Sequence, residues 1–181
     1  MMEASDVELV SRLAQGESPA LDEIMRRHED LVFAVCLRLM GSREAALDAS
    51  QETFLTVFRK ADRFKAEAAF TTWLYRVATN TCFDLLRKAK RRRADPLPEY
   101  HEPVDVTTLD DLESVEVRPL IDEALRSIPP DYRAAVVLSD LHGLGIAEIA
   151  EVLEIPEGTV KSRVFRGRRL LAETLGNIHG T

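Results

Sequence analysis

Ile146-Ala-Glu-Ile-Ala-Glu-Val-Leu-Glu-Ile-Pro-Glu-Gly-Thr-Val-Lys-Ser-Arg-Val-Phe-Arg-Gly-Arg-Arg-Leu-Leu171 is the stretch whose reading decides the fold. A short helix carrying Ile149, Ala150 and Leu153 meets a turn at Glu154-Ile155-Pro156 and is followed by a basic helix, which is helix-turn-helix spacing. Small Ala150 lets the two helices approach, and Ile155, Val160 and Val164 fill their shared core. Thr159, Lys161, Ser162, Arg163, Arg166 and Arg168 are left to project. Such cations neutralise phosphates, and an arginine fork can bond a guanine edge in the major groove for roughly 1 to 3 kcal/mol of discrimination. The bland alternative is a solvated amphipathic helix. The turn, the buried pattern and the five bases between Lys161 and Arg169 agree better with a duplex-DNA reader.

Outward from this motif, helix signals are dense and no stretch alternates in the manner of a strand. Helices are expected at about Asp6 to Ala14, capped by Ser5 or Asp6, and from Pro19, with Ser18 as its cap, to Gly41. A third is capped by Ser42, and a break covers Asp62 to Ala69. The fourth runs from about Phe70 to Arg92. Periodicity resumes with helices near Val117 to Ser127, Asp131 to Leu141, Ile146 to Leu153 and Glu157 to Leu175. Between Asp95 and Glu116, three prolines forbid regular helix and eight acids face no lysine or arginine, the composition of an extended acidic linker. The fold class is all-α: a four-helix domain over residues 5–93, a linker over 94–116 and a helix-turn-helix domain over 117–177.

Composition bounds the function. The 181-residue chain carries a net charge of −7, 31 acids against 24 bases, so nucleic-acid binding must use local basic patches. Cys36 and Cys82 lack zinc or redox spacing and sit in apolar helical patterns, reading as buried thiols. The four histidines, His28, His101, His142 and His179, are scattered without metal-ligand spacing or a nucleophile partner, so no catalytic residue, metal, cofactor or small-molecule substrate is assigned. No window approaches a membrane span and Met1 to Asp6 does not open a signal peptide, so a cytoplasmic protein with no direct membrane insertion is expected.

A second constellation lies on the fourth helix, where Phe70, Trp73, Tyr75, Arg76, Asn80, Arg87 and Lys88 precede Lys90-Arg91-Arg92-Arg93. Aromatic faces and amides can hold unstacked bases while a basic end follows phosphates, which suits single-stranded DNA. Trp73 and Leu74 read as core. Asn80, on the polar side, can pair with a base edge or simply face solvent.

Phe70-x-x-Trp73-Leu74-x-x-Val77-Ala78-x-Asn80-x-x-x-Asp84-x-x-Arg87-Lys88 resembles the promoter-melting segment of extracytoplasmic-function sigma factors of the sigma-70 family. Pro156-x-Gly158-Thr159-Val160-Lys161-Ser162-Arg163 is similar to their recognition helix, and Asp48-Ala-Ser-Gln51-Glu52-Thr53-Phe54 to their clamp-binding helix. The three occur in the family's order. The resemblance implies a sigma2-like domain and a sigma4-like domain. Asp48, Gln51, Glu52, Phe54 and Phe58 would meet the clamp of the largest subunit of core RNA polymerase, and the apolar surface of Val117 to Leu141 would dock on its flap. It further implies that Lys65, Phe70, Arg76, Asn80, Asp84, Arg87, Lys88 and Arg91 contact the minus-10 element, a flipped base entering a pocket of the Asp62 to Ala69 loop. Thr159, Lys161, Ser162, Arg163, Phe165, Arg166 and Arg168 would read the minus-35 element of promoter DNA. An anti-sigma factor is the further partner expected.

The sequence departs from the family pattern at Glu154, where related turns often hold glycine, and at Asp48-Ala49-Ser50 in the clamp helix. Glu154 must therefore adopt a backbone angle that glycine takes freely. Two rivals remain: a sensor-linked helix-turn-helix regulator, against which the first domain argues, and a sigma-mimicking decoy, against which the retained Arg87, Lys88, Lys161 and Arg166 argue.

Overall fold

Helix ends follow from local chemistry. In the computed structural model, which describes residues 4–94 and 118–179, helix α1 (Asp6–Ala14) begins where the Ser5 hydroxyl accepts the Glu8 N–H and the Glu8 carboxylate accepts the Ser5 N–H. Helix α2 (Pro19–Met40) starts on Pro19, but Ser18 does not cap it as expected. Ser18 has helical angles and its side chain makes no capping bond, so proline's fixed φ and the Leu21 N–H to Ser18 carbonyl bond begin the helix instead. Gly41, at φ +76°, ends α2. Ser42 then caps helix α3 (Arg43–Lys60) through the Ala45 N–H at 3.2 Å. A 3₁₀ turn, Ala61–Arg63, leads through residues 64–69 to helix α4 (Phe70–Ala94). The acidic linker, Asp95 to Glu116, lies outside the described residues.

Helices α1 to α4 pack around Ile24, Val32, Val35, Leu39, Ala46, Val57, Leu74 and Ala78, all essentially without solvent exposure. Cys36 and Cys82 are buried there as expected and lie within hydrogen-bonding reach of each other. The Cys82 contact pulls the Cys36 thiol below its ordinary pKa, while the same contact and burial raise that of Cys82.

The second half comprises α5 (Arg118–Ser127), α6 (Pro130–Val136), α7 (Ile146–Leu153) and α8 (Glu157–His179). Helix α6 continues as a π-helical turn, Val137–Leu141, a widening that periodicity alone does not register and that carries the chain to His142. Gly167 explains how closely α8 crosses α6. A Cβ there would stand 2.5 Å from Val136 Cγ2 and 3.0 Å from the Tyr132 carbonyl oxygen.

The two halves touch. Helix α7 lies on α4 and α5 on α2, so their buried side chains form one continuous core. The basic end of α4 and the stripe around Arg166 both remain exposed outside it.

Candidate nucleic-acid interface

The recognition surface is built from the turn upward. Glu154 takes φ +54° and ψ +45°, the left-handed conformation that lets α7 stop, and the Ile155 N–H returns to the Ala150 carbonyl at 3.1 Å. The Pro156 carbonyl then accepts the Thr159 and Val160 N–H groups, launching α8. Val160 and Val164 turn inward against Ile149 and Val152. Helical periodicity consequently turns Lys161, Ser162, Phe165 and Arg166 outward; all four are exposed, Phe165 at 71%.

Other residues assigned to this surface are already occupied. Arg168 makes a bidentate pair with Asp140 at 2.6 and 2.9 Å. That contact raises the Arg168 pKa and lowers the Asp140 pKa. Arg163 is largely covered and stands 3.5 Å from Asp131. Thr159 is half-buried. These arginines join α8 to the preceding helices, though Arg168 stays exposed, and Lys161, Ser162, Phe165 and Arg166 form the outward-facing set with no ion pair of their own among the described residues.

On α4, Arg76, Asn80, Asp84, Arg87 and Arg91 recur at three- and four-residue steps and so share one face with Lys88 beside them. Asn80 and everything beyond it in this stripe is exposed, as is Lys65 in the preceding loop. Arg87 holds Asp84 at 3.0 Å. Arg76 is engaged otherwise: its Nε donates to the Glu151 carbonyl of α7 at 3.0 Å. Phe70 corrects the sequence-based expectation of a DNA contact, because its ring is buried in an aromatic cluster. His28, Phe64 and Trp73 stand 5.2, 5.8 and 5.9 Å from it, centroid to centroid. That cluster anchors the 64–69 loop to the start of α4, and Asp6 fixes the His28 ring at 3.0 Å.

Helix α3 offers a different surface. Phe54 is only 5% exposed and belongs to the core, so it cannot serve as the surface anchor expected of it. The exposed apolar side chains are Leu47, Leu55 and Phe58, roughly half-exposed, with exposed Asp48 and Gln51 alongside. Glu52 is half-buried and paired with Arg59. Leu55 was legible in principle, since positions 47, 51, 55 and 58 form a face opposite the buried positions 46, 49, 53 and 57.

Comparison with known proteins matches residues 24–92 to Sigma-70 region 2 and residues 118–171 to Sigma-70, region 4. Over 177 residues, 98% of this chain and 88% of the relative, it is 37% identical to the ECF RNA polymerase sigma factor SigM of Mycobacterium tuberculosis. The chain belongs to the extracytoplasmic-function sigma factors.

This sigma factor is also 30% identical over 186 residues to SigW of Bacillus subtilis, covering 93% of this chain and 96% of that one. Its fold is shared with the sigma factor RpoE of Bartonella quintana, solved with the anti-sigma factor NepR, at a TM-score of 0.74 and 24% identity over 86% and 96% of the two chains. CnrH, solved with the cytosolic domain of CnrY, gives a TM-score of 0.67 at 25% identity over 95% and 97%. Region 2 spans most of α2 through α4 and thus carries both the α3 surface and the α4 stripe. Region 4 takes in α5, α6, α7 and the outward set on α8. Sigma factors are initiation factors and catalyse no reaction of their own. Among the described residues no cluster of His, Cys, Asp and Glu could hold a metal, and no helix is long and apolar enough to cross a membrane.

Proposed function

We propose that this sigma factor divides promoter recognition between two surfaces, α4 for opened strand and α8 for duplex. The observation that carries this reading is the face of α8: Lys161, Ser162, Phe165 and Arg166 project together while Val160 and Val164 are buried behind them. Two cations, a hydroxyl and an apolar ring suit phosphates, base edges and thymine methyls of a major groove, here the minus-35 element. On α4, Asn80 supplies an amide for a base edge. Arg87, Lys88 and Arg91 supply phosphate contacts along the same face, with Lys65 at the loop.

Capture of exposed minus-10 bases offsets an unstacking cost of a few kcal/mol per base, so strand opening needs no nucleotide hydrolysis. Core RNA polymerase is met through α3, where Leu47, Leu55 and Phe58 give an apolar anchor flanked by Asp48, Gln51 and Glu52. Holding both DNA readers on one enzyme makes the second contact effectively intramolecular. The regulatory partner is an anti-sigma factor. Its support is the likeness to CnrH, which is held by a cytosolic domain of CnrY, together with the exposed apolar residues of α3.

Lys161→Ala combined with Arg166→Ala tests the division. It should weaken minus-35 duplex binding and reduce the slope of its salt dependence by about two counterions, leaving core-polymerase affinity unchanged. Equal loss of both activities contradicts it.

A further inference from the structure

We infer that Asp6 and His28 are positioning residues for minus-10 recognition: helix α1 sets the shape of the 64–69 loop through a chain of contacts running Asp6, His28, Phe70, Phe64. The inference rests on the promoter reading above. It adds to that reading a helix that precedes the match to region 2, which begins at residue 24.

The loop needs a support from outside itself. Its backbone hydrogen bonds lie at its two ends, from the Phe64 N–H to the Ala61 carbonyl and from the Trp73 N–H to the Ala69 carbonyl, both at 3.2 Å. Lys65, Ala66, Glu67 and Ala69 are exposed, and Phe64 is the partly buried anchor. Its ring stands edge-on to Phe70 and lies 5.3 Å from Trp73. Phe70 in turn leans on the buried His28 ring.

That ring is aimed from α1. Ser5 and Glu8 close the capping box of this helix between themselves, which frees the Asp6 carboxylate to reach across to α2. Asp6 Oδ2 stands 3.0 Å from His28 Nε2, and because a carboxylate only accepts, the ring nitrogen donates. Asp6 Oδ1 accepts from Arg27 Nη1 at 3.3 Å, and the same nitrogen donates to the Ala4 carbonyl at 2.7 Å. One partner on each oxygen fixes the carboxylate, and the carboxylate fixes the imidazole.

Helix α1 also supports the entry to the loop. Leu9, Val10 and Leu13 share the core with Ala61, and the helix packs on the Ala61–Arg63 turn. One helix thus braces the loop at both ends. A flipped base is read through hydrogen bonds to its edge, and a pocket displaced by roughly 1 Å no longer makes them. Phosphate contacts from α4 carry no sequence information and do not depend on this brace. Releasing it should therefore change which base is chosen, not how strongly the strand is attracted.

Holoenzyme reconstituted from core polymerase and the full chain, selecting from a pool of single-stranded DNA randomised over one segment, tests this. Sequencing the bound strands should show the wild type preferring one base at a captured position. Asp6→Ala should lower that preference at least about fivefold, the worth of one base-edge hydrogen bond, leaving salt dependence and the preferences at other positions unchanged. His28→Phe, which keeps a ring against Phe70 but cannot donate to Asp6, should lose it likewise. An abasic nucleotide at the captured position should weaken wild-type binding and leave Asp6→Ala binding nearly as it was. Circular dichroism identifies the variants that fold. Either variant, folded and with the wild type's preference, overturns the inference, as does a preference that falls at every position together. A wild type that selects no base contradicts the promoter reading itself.

Discussion

Arg133 of region 4 donates a hydrogen bond to the main-chain carbonyl of Leu39 in region 2, 94 residues away in sequence, at 2.5 Å. The same guanidinium serves the Arg126 and Ile128 carbonyls at 2.9 and 3.1 Å and is 7% exposed, so one buried cation joins the turn between α5 and α6 to the end of α2. Burial, followed by the nearby Arg126 charge, lowers its pKa.

Removing that cation leaves three carbonyls without their donor. Arg133→Met should cost about 2 to 4 kcal/mol in urea unfolding, because unpaired buried acceptors retain their desolvation penalty. Arg133→Lys, which can reach fewer carbonyls, should fall between the two.

Glu154 occupies a left-handed conformation that costs a non-glycine residue about 1 to 2 kcal/mol. Glu154→Gly relieves that strain against a smaller loss of chain entropy, for a net gain of about 0.5 to 1 kcal/mol. A melting-temperature rise of roughly 2 °C by calorimetry is expected.

Gly167→Ala should act in the opposite direction. Its methyl group would meet Val136 and the Tyr132 carbonyl, forcing α8 away from α6 at a cost of about 1 to 3 kcal/mol. Because the outward residues ride on α8, minus-35 affinity should drop even at temperatures where the protein remains folded, which a duplex-binding titration reads.

The Tyr75–His142 contact predicts a pH dependence of the packing between α4 and the turn that precedes α7. Burial, then the Arg38 charge, lowers the His142 pKa below its ordinary 6.5, so the contact favours the neutral ring. Tyr75 of α4 and Glu148 of α7 face the same cleft, and burial raises the tyrosine pKa, keeping it protonated. With the contact broken, the chain consequently binds more protons. The contact should contribute its full stability above the ordinary histidine pKa and lose it as pH falls through and below 6.5. Urea unfolding at pH 8 and pH 5.5 should show lower stability on acidification, and His142→Gln should remove much of that difference.

Much of this architecture was legible because helix ends are local. Ser5, Pro19, Gly41, Ser42 and Pro156 punctuate the chain where the structure does, and Val160 and Val164 point inward as their spacing required. What escaped was non-local. Phe54 and Phe70 look like surface anchors in a motif, yet whether an aromatic ring turns in or out depends on the helix packed against it. Arg168 reads as an unpaired cation, yet Asp140, 28 residues earlier, pairs with it. Arg133 and His142 gave no periodic signal, since their partners Leu39 and Tyr75 belong to the other region.

Transcription from a promoter library with purified core polymerase tests the central claim most directly. Adding this chain should produce transcripts that start at discrete positions and share sequence at two separated upstream elements, with no requirement for nucleotide hydrolysis to open them. Core polymerase that binds the chain yet yields no specific start anywhere in the library would contradict the account.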